Sequence, residues 1–157
     1  MKLEKKDKMI IRRLLDNGRM SFSDLATRCK ISRQTAFNRV KRLKNTGVIE
    51  KFSVRSSHKK LGLDFKAYLL VTAEPGKKHR EALSKFLIKK KQVSQIHYLF
   101  GRFDFFLEVI ATDREELAQL LSEIHQFEAV NRTETFIVYD TIKYDPEGPV
   151  KRLLESG

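Results

Sequence analysis

The sequence predicts an α+β protein of two modules: an N-terminal winged helix-turn-helix domain followed by a ferredoxin-like βαββαβ sandwich. Three observations predict it. Before residue 50 the apolar residues recur at helical spacing in three short stretches, each bounded by capping or breaking residues. Beyond residue 64 the period changes, and runs rich in β-branched and aromatic residues alternate with two helical stretches. The charge divides at the same place. Residues 1 to 60 carry 18 Lys and Arg against 5 Asp and Glu, a net +13, and the remainder carries 14 against 15, a net −1. A basic block joined to a nearly neutral one implies one module facing a polyanion and another facing something else.

The elements follow in order. "LEKKDKMIIRRLLDNG" sets Met9, Ile10, Leu14 and Leu15 on one side and stops at Asn17-Gly18, which predicts a first helix. "SFSDLATRCK" begins with Ser21 and has Asp24 three positions on, with Phe22, Leu25 and Ala26 as a short apolar face. That pattern is close to a capping box and predicts a second helix of about two turns. After a break at Cys29 to Ile31, Ser32 caps a third helix whose Ala36, Val40 and Leu43 form an i, i+4, i+7 stripe before Gly47 ends it. Three helices with a tight turn between the last two make a helix-turn-helix. "VIEKFSVRS" reads as a strand or wing, and "HKKLGLD" as a basic hinge. The domains are therefore expected at residues 1–56 and 65–145, joined by a linker over 57–64.

In the second module, "FKAYLLVTAEPG" is a strand closed by Pro75-Gly76, and "HREALSKFLIKKK" is a helix burying Ala82, Leu83, Phe86 and Leu87. "VSQIHYLFGRFDFFLEVIAT" reads as a hairpin around Gly101-Arg102. "DREELAQLLSEIHQF" opens on Asp113 with Glu116 at the third helical position and turns Leu117, Leu120, Leu121 and Ile124 inward. "AVNRTETFIVYDTIKYD" is the closing strand, and residues 146–157 are expected to be a loosely held tail with one helical turn. Strand residues of both parities are apolar, as in Phe103, Phe105, Leu107 and Val109 beside Phe106 and Ile110. A sheet face without helices would then expose an apolar patch that monomers rarely tolerate, which predicts sheet-to-sheet dimerisation or a larger oligomer.

Composition excludes several functions. No apolar run approaches the ~18 residues needed to span a bilayer, and the start alternates charge with apolar residues instead of carrying a signal-peptide core, so a cytoplasmic protein away from membranes is expected. The single cysteine, Cys29, forms no disulfide within the chain and is expected to be a small buried thiol. His58, His79, His97 and His125 lack paired metal-ligand spacing, and no GxSxG, HExxH or Gly-rich phosphate loop occurs, so no enzyme, metal or cofactor is expected.

These residues also form a recognisable series. Leu3-Glu4-x-x-Asp7-x-x-Ile10-Ile11, Gly18-Arg19-x-Ser21, Leu25-Ala26, Ser32, Thr35, Arg39-Val40, Leu43 and Gly47-Val48-Ile49 are followed by Gly101-Arg102-Phe103-Asp104 and Arg132-Thr133-Glu134-Thr135. In order and spacing the series resembles the Lrp/AsnC family of leucine- and asparagine-responsive (feast/famine) transcriptional regulators, over roughly residues 3 to 143. The resemblance implies a DNA-binding helix-turn-helix joined to an oligomerising, effector-sensing domain of the RAM type. Two departures stand out: Lys30 occupies the turn where the family carries glycine, at a cost of about 1 kcal/mol for a left-handed lysine, and Ala129-Val130 replaces the family's Gly-Val.

On the third helix, burying Ala36, Val40 and Leu43 turns Arg33, Gln34, Asn38, Lys41 and Arg42 outward or sideways. Arg grips guanine O6/N7 and Gln or Asn pairs with adenine, each worth about 1–3 kcal/mol of base discrimination. Ser32, Thr35 and the helix N-terminus suit phosphates, as do Arg19, Arg28, Lys30 and Lys44. Arg39 lies beside the buried stripe and is expected to pair with an acid such as Asp7 or Asp24. The expected partner is double-stranded DNA, bound at palindromic sites by a homodimer, or by a tetramer or octamer built from it. The resemblance further implies an amino-acid effector held by Gly101, Asp104, Thr133 and Thr135, with Asp104 accepting its ammonium group. The competing expectation is RNA binding by the sheet, because RNA-recognition modules share the βαββαβ order. "GRFDFFLEV" has the aromatics for that role but sets Asp104 among them and lacks the glycine after Arg102.

Overall fold

The computed structural model describes residues 3 to 155 and divides into two compact units. One is built from the chain up to Arg55 and from Lys143 onward; the other is Ser56–Ile142. No helix among the described residues is long and apolar enough to cross a membrane.

The first unit holds helices α1 (Lys5–Asp16), α2 (Phe22–Cys29) and α3 (Arg33–Asn45). Each begins where a side chain can satisfy the free N–H groups of a first turn. At α1 the Glu4 N–H donates to Asp7 Oδ2 at 3.0 Å. At α2 the Asp24 N–H donates to Ser21 Oγ, and at α3 the Thr35 N–H to Ser32 Oγ, both at 3.1 Å. The α2–α3 turn passes through Lys30 in the left-handed region, φ 52 and ψ 57, the backbone that the family's glycine would take at no steric cost. The Ile31 N–H returns to the Ala26 carbonyl at 3.0 Å and closes the turn. Ile10, Leu25, Cys29, Ala36 and Leu43 are fully buried between the helices. Cys29 is the expected inert thiol: burial pushes its pKa up, against the weaker opposing pull of Arg13 and Lys6.

Two expectations are corrected here. The tail is not loose: Gly148–Glu155 forms a two-turn helix (α6) that packs on α1, with Leu154 against the core. Lys151 reaches Asp16 and Arg12 reaches Glu155, each at 3.0 Å. Nor is there a wing strand, since residues 50–57 take neither helix nor strand. A strand exists by pairing, and among the described residues none offers this segment a ladder. Its Arg55 guanidinium instead sits 4.3 Å above the Tyr144 ring, within the same unit. The hinge is a short 3₁₀ turn, Lys59–Leu61, ended by Gly62 at φ 80.

The second unit follows the expected order, β1 (Phe65–Ala73), α4 (Lys77–Ile88), β2 (Val93–Tyr98), β3 (Phe105–Ala111), α5 (Arg114–His125) and β4 (Val130–Ile137). The sheet is antiparallel in the order β2-β3-β1-β4. Register decides what each face carries. Leu69 stands between Leu107 and Thr135, and Val71 between Phe105 and Thr133. This parity faces the helices, where Leu83, Leu87, Leu120 and Ile124 complete the core. The other parity aligns Tyr68 with Phe136 and Glu108, and Leu70 with Phe106 and Glu134, on a face that α4 and α5 leave uncovered. Tyr68 and Phe106 stack there at 5.1 Å, and Phe136 is half exposed.

Candidate nucleic-acid interface

The helix-turn-helix is held by one buried carboxylate. Asp7 of α1 is fully buried and accepts from Arg39 at 2.9 Å and from Arg42 at 2.5 Å, both on α3. Glu4 backs the same pair, 2.9 Å from Arg39 and 3.7 Å from Arg42. Burial alone would raise the Asp7 pKa, but the Arg39 guanidinium, the Glu4 N–H and Arg42 together outweigh it and hold the carboxyl below its ordinary value. Arg39 is thus the structural residue its place beside the stripe suggested. Arg42, expected on the DNA side, is committed to the same clamp. It flanks the helix toward α1 and fastens α3 to it.

With its back buried and one flank clamped, α3 presents the opposite face to solvent. Gln34, Asn38 and Lys41 are exposed on it, and Arg33 is exposed at the start of the helix on its flank. Gln34 Nε2 donates to Asn38 Oδ1 at 3.1 Å, which aligns two amide side chains one helical turn apart. At the N-terminus the Ser32 and Thr35 hydroxyls lie 2.8 Å apart. Ser32 Oγ also accepts the Thr35 N–H, so it is shared between the helix cap and this hydroxyl contact. Arg28 and Lys30 are exposed at the α2–α3 turn that leads into α3, and Arg19 is exposed between α1 and α2. Lys44 lies on another flank, its ammonium 5.9 Å from the Phe52 ring centroid. Lys6, by contrast, turns inward and donates to the Cys29 carbonyl at the end of α2. One side chain on the exposed face was not anticipated. Phe37 is 44% exposed, its ring meeting Phe22 of α2 edge to face at 5.3 Å. An aromatic one position off the buried stripe is the signal that could have found it.

In the second unit Asp104 and Thr133 flank the end of β1 on opposite sides, and Thr135 lies further back along the strand. The Asp104 N–H donates to the Val71 carbonyl and Asp104 Oδ2 accepts the Ala73 N–H at 2.8 Å, so this side chain extends the β1–β3 pairing past the hairpin. Gly101 takes φ 153 in that hairpin. Thr133 is the cross-strand neighbour of Val71 on its other side, which leaves Asp104 and Thr133 two strand spacings apart, about 10 Å. The Thr133 hydroxyl is hydrogen-bonded to His125 at the end of α5, and Thr135 pairs across to Leu69. The structure therefore gives Asp104 a fold-bearing bond through Oδ2, and its Oδ1 has no hydrogen bond among the described residues.

The uncovered sheet face carries an ion pair among its aromatics. Lys66 Nζ lies 2.5 Å from Glu108 Oε2, and Ser94 Oγ donates to Glu108 Oε1 at 2.7 Å. Burial would raise the Glu108 pKa, yet Lys66 and Ser94 hold it below the ordinary value. Glu134, the other acid on this face, is likewise paired, with Arg132 at 2.8 Å and Arg102 at 3.4 Å.

Comparison with known proteins agrees with this division. Residues 3–50 match the model of a winged helix-turn-helix DNA-binding domain, and residues 66–148 match the model of the Lrp/AsnC ligand binding domain. An uncharacterised HTH-type transcriptional regulator of Pyrococcus furiosus is 32% identical over 144 residues, covering 90% of this chain and 95% of its own. The solved structure of Escherichia coli AsnC superposes with a TM-score of 0.85 at 25% identity, covering 92% of this chain and 97% of that one. A transcriptional regulator of Neisseria meningitidis, crystallised as its L-Met complex, shares the fold with a TM-score of 0.89 at 24% identity, over 97% and 99% of the two chains. Nothing in these matches supports RNA binding by the sheet.

Proposed function

The chain belongs to the Lrp/AsnC family of helix-turn-helix transcriptional regulators, and from that premise we propose that it binds roughly palindromic operators as a homodimer, or an assembly of dimers, under control of an amino acid. The observation that carries the DNA half is the exposed Gln34, Asn38 and Lys41 face, with Arg33 on its flank, of a helix whose back is buried and whose other flank is clamped by Asp7. Arg33, Gln34 and Asn38 read base edges, and Arg19, Arg28, Lys30, Lys44, Thr35 and the start of α3 hold phosphates. Two such helices enter successive major grooves about 34 Å apart.

The uncovered sheet supports the dimer. Tyr68, Leu70, Phe106, Ile110 and Phe136 form an apolar face that a second copy would bury, with the Lys66–Glu108 pair fixing its register. Gly101, Asp104, Thr133 and Thr135 are the proposed effector contacts, completed by the neighbouring protomer. Asp104 Oδ1 meets the ammonium group while Oδ2 stays on Ala73. An amino acid as effector is favoured by the ligand of the Neisseria meningitidis structure. Selection of duplexes from a random pool, with and without a mixture of amino acids, tests the proposal. It predicts an enriched inverted repeat whose affinity falls steeply with salt and changes with the mixture. Enrichment of single-stranded RNA by a fragment lacking residues 1–60 would sink it.

A further inference from the structure

Four apolar residues lie on α3, and three of them, Ala36, Val40 and Leu43, are its buried stripe. The fourth, Phe37, faces water on 44% of its surface, where a large apolar ring costs free energy. At 100° per residue it lies about a quarter turn from the stripe, between the α2 side and the Gln34/Asn38 face. Arg33 and Lys41, four residues away on either side, share its flank. Its ring is held: Phe22, itself packed into the helical core, meets it edge to face at 72°. A rigid apolar surface set among base-reading and phosphate-holding groups matches the one apolar feature that the major groove displays, the C5-methyl of thymine.

From this geometry we infer that Phe37 is a specificity-determining residue that contacts the methyl group of a thymine in each half-site. The inference rests on the DNA-binding reading above. On it, Arg33, Gln34 and Asn38 supply hydrogen-bonded readout, and Phe37 distinguishes thymine from every base that lacks the methyl. The Phe22 contact fixes the ring before DNA arrives, so little rotamer freedom is lost on binding.

The test uses the full chain and the best duplex selected from a random pool. Each thymine is replaced singly by deoxyuridine, which removes only the methyl, and affinity is read by fluorescence anisotropy at one salt concentration. Wild type is expected to lose about three- to tenfold at one symmetry-related thymine, the scale of one buried methyl group. Phe37→Ala is expected to bind the thymine and deoxyuridine duplexes equally. Phe37→Val, which keeps an apolar side chain toward Phe22 but withdraws the ring, is expected to do the same and guards against a folding defect in the alanine variant. Wild type that is indifferent to every deoxyuridine overturns the inference, as does a Phe37 variant that keeps the wild-type thymine preference. A pool that yields no enriched duplex instead overturns the DNA reading itself, and the inference with it.

Discussion

Replacing Asp7 by alanine should unfasten α3 from α1. Asp7 is fully buried and accepts three bonds, from Arg39 at 2.9 Å, Arg42 at 2.5 Å and the Glu4 N–H at 3.0 Å. Removing one partner of a fully buried ion pair costs about 3–5 kcal/mol. Here the cost is smaller, because the Arg39 and Arg42 side chains are 23% and 44% exposed and water replaces part of what they lose. Arg39 also keeps Glu4. What remains is an unpaired N–H at the start of α1 and two loosened guanidinium groups, about 2–3 kcal/mol together. The assay is amide hydrogen exchange of the full-length protein read by mass spectrometry, which reports the two units separately. Protection at Ala36 to Leu43 should fall by that free energy while β1 and β3 stay unchanged. The pH dependence follows in sign. The folded pKa of Asp7 is held below the unfolded value, so its contribution is complete above the unfolded pKa, near 4. That contribution is lost as the pH falls through the lower folded value. Wild type should therefore lose helical-unit protection on acidification over this window, and Asp7→Ala should lose less. A change below about 0.5 kcal/mol, or an unaltered acid response, would refute the clamp.

Four further outcomes are expected. Lys30→Gly relieves the left-handed lysine and should raise helical-unit stability by about 0.5–1 kcal/mol, yet weaken DNA binding and lower its salt slope by about one; a variant that binds DNA as well as wild type would remove Lys30 from the phosphate contacts. Deleting residues 146–157 should lower protection in α1 by about 1–2 kcal/mol, through Leu154 more than through the exposed ion pairs, and unchanged exchange would make α6 a passive tail. Phe106→Glu puts a charge beside Tyr68 and should yield monomers in sedimentation where wild type sediments as a dimer or larger; a dimer that survives means the copies meet elsewhere. Asp104→Asn keeps an acceptor for the Ala73 N–H while removing the charge, so calorimetry should show the amino-acid heat abolished with the melting temperature nearly unchanged.

Much of this molecule was legible because its helix ends are written locally. Ser21, Ser32 and Asp113 each accept from the N–H three residues on, where the spacing placed them. Alternation likewise divided β3, with Phe105, Leu107 and Val109 in the core and Phe106 and Ile110 on the uncovered face. What stayed hidden depends on contacts far apart in the chain. Nothing within "GPVKRLLE" says that it docks on α1, because eight residues make a marginal helix until another surface supports them. "VIEKFSVRS" alternates only imperfectly, and alternation describes faces and not partners. Arg42 was assigned to DNA because it lies off the buried stripe. That flank turned out to face Asp7, 35 residues earlier. The exposure of Phe37 depends on Phe22 of α2, which meets only one edge of its ring and leaves 44% of the residue open.

The proposed function turns on the exposed face of α3 reading sequence. The measurement that meets it directly is the ratio of specific to nonspecific DNA affinity for Arg33→Ala combined with Gln34→Ala, at fixed salt. Each bidentate contact is worth about 1–3 kcal/mol of discrimination, so the ratio should collapse by about 30-fold or more. Nonspecific affinity should fall only by the one lost charge. A double variant that keeps its operator preference while losing nonspecific affinity would show that α3 does not read sequence through these residues.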